Sequence, residues 1–94
     1  MTSKEGRITL YRTTHCPRCV KAARNLKAIL AEKGLHYEEV VIEKFIDRDE
    51  AAIEELRGYG YESAPTIRIG TRVLVEDEPT YSEAIRQLLF EAGI

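Results

Sequence analysis

Two cysteines lie three residues apart in this 94-residue chain, at Cys16 and Cys19, and they are its whole cysteine content. A pair so spaced closes almost no loop and adds little stability by restricting the unfolded chain. A secreted domain stapled by disulfides carries four or more cysteines, spread to close long loops. The pair is therefore placed for chemistry or for metal. Pro17 follows Cys16 directly. Proline is favoured at the first position of a helix, where its missing N–H has no intrahelical partner to lose. Cys16 then stands at the mouth of a helix whose first-turn N–H groups are unsatisfied and carry roughly half a positive charge. A thiol there ionises more readily than a free cysteine, whose pKa is about 8.5. Arg18 and Lys21 add cationic charge nearby. On these grounds Cys16 is expected to be the attacking thiol. Cys19, one turn in and partly covered, is expected to resolve the mixed disulfide.

The same spacing makes half of many zinc sites. A structural zinc site usually takes four protein ligands, and beyond the thiols this chain offers His15 and His36. His15 adjoins Cys16 and would strain to share a metal with it, and His36 lies a helix length away. Two copies of the chain could still supply four thiolates to zinc or to an iron–sulfur cluster. A metal-binding dimeric module is thus the alternative to a redox pair. The balance favours redox chemistry, with no bound metal and no cofactor other than the redox-active disulfide. His15 either tunes the Cys16 thiolate as an imidazolium or is an exposed turn residue.

The elements that must position the pair follow from hydrophobic spacing. Ile8–Tyr11 alternates as a strand, and the polar turn Arg12–His15 leads into Cys16-Pro17. Val20, Ala23, Leu26, Ile29 and Leu30 recur at helix spacing, and Gly34 reads as the residue that ends that helix. Tyr37–Ile42 reads as a second strand. Asp47 with Glu50 suggests a capping box for a second helix, which carries Ile53 and Leu56 inward and stops at Gly58-Tyr59-Gly60. Thr66–Ile69 and Arg72–Val75, split by Gly70-Thr71, form a hairpin signal. Thr80 with Glu83 suggests a capping box for a last helix, with Tyr81, Ile85, Leu88 and Leu89 in the core. The order β-α-β-α-β-β-α fits one domain over residues 1–94. Its first crossover is parallel and right-handed, and its closing hairpin antiparallel. Pro65 precedes the third strand and has no N–H for a ladder, which places it at an edge or a bent start. If the Ala64–Pro65 bond is cis, the Ala64 backbone faces outward and can pair with an extended substrate chain.

These residues resemble the glutaredoxin branch of the thioredoxin superfamily. The matching features are Leu10-Tyr11 before the motif, Cys16-Pro17-Arg18-Cys19 with Ala22 three residues on, Gly34, and Ala64-Pro65. The element order agrees, so the resemblance covers nearly the whole chain. It implies an α/β, thioredoxin-like fold: a four-stranded mixed sheet flanked by three helices. It also implies that Cys16 and Cys19 are catalytic, that Ala64-Pro65 is a cis-proline dipeptide beside them, and that Pro17, Arg18, Ala64 and Pro65 contact substrate. The departures bear on which substrate. Glutaredoxins commonly carry tyrosine where Arg18 stands, and lysine where Thr13 stands. They commonly place a Gly-Gly followed by Asp or Ser after the last strand, cradling the γ-glutamyl end of glutathione. Here that stretch is Val75-Glu76-Asp77-Glu78-Pro79. Its three carboxylates would repel an anionic tripeptide. Arg12, Arg68 and Arg72 either form a substitute anion site or are solvated strand-edge charges. Tyr59 or Tyr61 either walls the groove or packs the loop on the sheet.

Composition narrows the partners. A formal net charge of −2 argues against a nucleic-acid surface. No run approaches the roughly 18 apolar residues that span a bilayer. Met1–Arg7 shows no apolar signal segment, so a cytoplasmic location is expected. The expected activity is disulfide exchange with protein substrates, independent of glutathione, by a monomer. Either thioredoxin reductase or the glutathione system would recharge it.

Overall fold

The computed structural model describes residues 7–94, so the reading of the first six residues lies outside the described part. Strand β1 (Ile8–Arg12) is followed by helix α1 (Pro17–Glu32) and a single helical turn, α2 (Tyr37–Val40). Then come β2 (Val41–Phe45), α3 (Glu50–Gly58), β3 (Thr66–Ile69), β4 (Arg72–Leu74) and α4 (Ser82–Glu91), with a short 3-10 turn at Glu78–Thr80 before α4. The sheet order is β2-β1-β3-β4. β1 runs parallel to β2 and antiparallel to β3, and β3 and β4 form the expected hairpin.

Alternation along β1 divides the molecule into layers. Ile8 and Leu10 join Ile67, Ile69 and Val41 in one core with Ala22, Leu26, Ile29 and Leu30 of α1 and Ile85, Leu88 and Leu89 of α4. Thr9 and Tyr11, buried on the opposite face, look toward α3, whose Ala52 and Leu56 are also buried. Helices therefore cover both faces of the mixed sheet.

Register sets where the site can be. Arg12 pairs with Phe45, Tyr11 with Thr66, and Ile67 with Leu74. The end of β1, the end of β2, the start of β3 and the end of β4 therefore meet at one end of the sheet. Four segments project from that end: 13–16, 46–49, 63–65 and 75–79.

Several local expectations are corrected. Tyr37–Val40 is helical rather than strand: Glu38 and Glu39 fall in its first turn, where carboxylates suit the dipole. The Tyr37 hydroxyl donates to Glu43 at 2.6 Å, and burial first and then that carboxylate push its pKa upward. α1 buries Cys19 and Ala22 at its start, leaving Val20 44% exposed, because its inner face runs through the cysteine rather than through the valine. The cap of α3 is Asp49, whose carboxylate accepts from Ala51 N at 3.0 Å. A turn with Arg48 N and Asp49 N on the Phe45 carbonyl delays the helix past Asp47. Thr80 does not cap α4. Its hydroxyl donates to the Asp77 carbonyl at 2.6 Å inside the 3-10 turn, and Tyr81 holds the cap position without a side-chain bond. Tyr81 is 54% exposed, outside the core. Gly34, at φ 75°, does follow the end of α1 as expected.

Replacing Asp49 by alanine should cost about 1 kcal/mol in chemical denaturation and speed hydrogen exchange at the Ala51 amide. Asp47→Ala should instead speed exchange at Thr14; the reverse pattern would restore Asp47 as the cap.

Candidate active site

Cys16 is the N-cap of α1, with extended backbone at φ −145° and ψ 99°, and Pro17 begins the helix. Its Sγ accepts from the Cys19 backbone N–H at 3.1 Å, and its carbonyl accepts from Val20 N at 3.1 Å. The sulfur thus takes the place that a serine or aspartate oxygen occupies at other helix starts. Cys16 and Cys19 are joined as a disulfide with their Cα atoms 5.1 Å apart. Cys16 is partly exposed and Cys19 fully buried. In the reduced pair, a negative charge on Cys16 would sit at the positive end of α1, whose first turn holds no acidic residue.

What holds Cys16 there comes from distant segments. The loop before it is anchored twice: Ile46 N donates to the Arg12 carbonyl at 2.8 Å, and Thr14 N donates to the Asp47 carboxylate at 3.0 Å. The Thr14 amide is the first cause that holds the Asp47 carboxyl below its ordinary range. On the other side, Arg18 makes a salt bridge with Asp77 from the segment after β4. Both side chains are more than half exposed, so the pair contributes little stability; its effect is to bring that segment up to the helix start. Asn25 Nδ2 donates to the Thr80 carbonyl at 2.9 Å two turns further along α1, fastening the same segment again.

Ala64–Pro65 is a cis peptide bond, and Pro65 is buried at the start of β3. The Thr66 hydroxyl donates to the Ser63 carbonyl at 2.8 Å, fixing the bend. Ala64, Pro65, Cys16, Pro17 and Arg18 all lie at the one sheet end described above.

Asp47 and Asp77 carry no local sequence signal for these partners. They lie 33 and 59 residues from Thr14 and Arg18, so only the strand pairings bring them close. The three candidate anion-binding arginines are each paired with a carboxylate: Arg12 with Glu43 at 3.3 Å, Arg68 with Glu55 at 3.5 Å, and Arg72 with Glu91 at 3.1 Å. Arg12 and Arg68 are also substantially buried, unlike solvated edge charges. Arg68 lies 4.4 Å from the Tyr59 ring centroid, which places that tyrosine as packing on the α3 face. His15 is exposed, and His36 caps α2 without a side-chain bond. Among the described residues, no group of three or more His, Cys, Asp or Glu is arranged to hold a metal.

Beneath the site, Tyr11 anchors the end of β1. Its hydroxyl hydrogen-bonds to Glu55 and accepts from Arg68 Nε at 3.0 Å, and Lys44 pairs with the same glutamate at 2.7 Å. Burial first, then the Glu55 carboxylate, pushes the Tyr11 phenol up to about 12. The fold therefore favours the protonated phenol. That contribution is complete below the ordinary tyrosine value of 10 and is lost as pH rises to about 12. Unfolding measured between these limits should show wild type losing stability with pH more steeply than Tyr11→Phe. Equal slopes would contradict this account of the cluster.

Comparison with known proteins agrees with the geometry. The glutaredoxin family model matches residues 8–74. Among solved structures, that of oxidised glutaredoxin 2 from Chlamydomonas reinhardtii is similar: 30% identical, with a TM-score of 0.59, covering 93% of this chain and 82% of that one. No curated protein matches the chain. With a Cys-x-x-Cys disulfide at the start of α1 and this fold around it, the chain belongs to the glutaredoxin family of thiol–disulfide oxidoreductases.

Proposed function

We propose that the protein exchanges disulfides with protein substrates without requiring glutathione. The observation that carries the reading is the unequal setting of the two sulfurs: Cys16 reaches solvent at the helix start, and Cys19 is buried behind it. Cys16, as thiolate, attacks a substrate disulfide; one substrate sulfur leaves with the electron pair and takes up a proton. Cys19 loses its proton and attacks Cys16, closing the disulfide and releasing the second substrate thiol. Pro17 and Arg18 beside Cys16, and Ala64 and Pro65 at the same sheet end, form the surface along which the substrate chain lies.

The segment after β4 supports independence from glutathione. It turns at Glu76, whose φ of 60° lies in the region glycine adopts most readily, and it carries a side chain there. Asp77 is engaged by Arg18, and Glu76 and Glu78 are exposed. An anionic tripeptide meets carboxylates there, and Arg12, Arg68 and Arg72 are already paired within the protein. A cytoplasmic, monomeric protein recharged by a thioredoxin reductase is the setting this reading favours.

Cys16→Ser should abolish exchange, whereas Cys19→Ser should accumulate a mixed disulfide with a protein substrate, visible by mass spectrometry. Reduction of the oxidised protein back to the dithiol should proceed with thioredoxin reductase and NADPH, and slowly with glutathione and its reductase. Unimpaired exchange by Cys16→Ser would end the dithiol reading. Efficient recharging by glutathione would end the independence reading alone.

A further inference from the structure

The outer face of α1 carries a charge pattern that the fold does not use. From Pro17 to Ala31 the helix contains Arg18, Lys21, Arg24 and Lys27 and no carboxylate, in a chain whose formal net charge is −2. Arg18 is taken up by Asp77, and the first acid along the helix, Glu32, is bound to Arg86 at 2.6 and 3.1 Å. Lys21, Arg24 and Lys27 are exposed, and none makes an ion pair among the described residues. Elsewhere the cations at Arg12, Lys44, Arg57, Arg68, Arg72 and Arg86 all have carboxylate partners. Among the described residues six cations make no ion pair; Arg7, Lys33 and Arg48 are scattered, whereas Lys21, Arg24 and Lys27 stand together on this one helix.

Its placement relative to the dithiol is specific. Cys16, Val20, Arg24 and Lys27 follow one another at four, four and three residues, which puts them along one face of the helix. Val20, one turn below Cys16, is 44% exposed, so the sulfur is followed by an apolar contact and then by the cations. The strip is about 16 Å long at ~1.5 Å per residue. Lys21 flanks it. No packing or ion-pairing need of the fold explains these three cations.

We infer that the Cys16–Val20–Arg24–Lys27 face of α1 is the docking surface for protein substrates, and that it selects those whose disulfide is bordered by a carboxylate-rich surface. The inference rests on the reading of Cys16 as the attacking thiol and names the substrate class of that site. Complementary charge steers encounter and fixes orientation, with the apolar step at Val20 next to the exchanging sulfurs.

Two synthetic peptides with the same internal disulfide test it, one flanked by four glutamates and the other by four lysines. At low ionic strength the reduced protein should reduce the acidic peptide about tenfold faster. The gap should close as added salt shortens the screening length from about 30 Å at 0.01 M to about 3 Å at 1 M. The double variant Arg24→Glu, Lys27→Glu should invert the preference and reduce a small neutral disulfide at the wild-type rate. Equal rates for the two peptides, or a preference that survives the double variant, would overturn the inference. Copies of the peptides with serine for cysteine separate docking from chemistry. The acidic copy should bind wild type more tightly than the double variant, and equal binding would overturn docking whatever the turnover. Failure of the wild type to reduce even the neutral disulfide would overturn the oxidoreductase reading and, with it, the assignment of this face to disulfide substrates. Tight binding of RNA or anionic vesicles, without discrimination between the peptides, would assign the face to a non-protein polyanion and overturn the inference.

Discussion

The free N–H groups at the start of α1 are the feature on which the rest of the site depends. A helix leaves its first amides without intrahelical partners, and here one of them, that of Cys19, is turned onto the sulfur of Cys16. That contact has meaning only if the helix start is held in place. The parallel pairing of β1 with β2 brings Ile46 and Asp47 against the chain between Arg12 and Thr14. The hairpin of β3 and β4 delivers Asp77 and the 3-10 turn to the other side. The sheet thereby acts as a frame with one working end. The Tyr11–Glu55–Arg68–Lys44 cluster stiffens the strand that carries the chain into Cys16.

The same frame sets the charges on the two flanks of the site. After β4 the chain turns at Glu76, which holds a left-handed position, and Asp77 is drawn toward the dithiol by Arg18. A motif arginine and a loop aspartate therefore close one flank of the site with the protein's own charges. The opposite flank, along the outer face of α1, keeps its cations unpaired. On the proposed reading, a small anionic thiol is disfavoured on one side and an acidic protein surface is favoured on the other.

Much of this was legible in the residues. Cys16-Pro17 marked a helix start because proline tolerates only a few helical positions, and Gly34 marked its end because the chain there needs a positive φ. The strands appeared as alternating apolar runs. The errors fell where two local rules competed. Thr80 and Asp47 looked like caps by spacing, but each was claimed by another contact: a 3-10 turn for the first, and the Thr14 amide of a neighbouring segment for the second. Tyr37–Val40 had strand-forming residues, but its two glutamates and the Tyr37–Glu43 bond suit a helical turn. Val20 fitted the apolar period of α1, yet the true inner face passes through Cys19, which periodicity of aliphatic residues does not count. The partners Asp47 and Asp77 carried no local signal, since strand register alone brings them to the site.

Dithiol exchange at this site requires that the helix start hold Cys16 as a thiolate while Cys19 stays protonated and covered. The most direct measurement is the pH dependence of alkylation of the reduced protein, with the modified cysteine identified by mass spectrometry. The account predicts modification at Cys16 first, with an apparent pKa below the free-cysteine value of about 8.5. Modification at Cys19 first, or a Cys16 value at or above that of a free thiol, would contradict it.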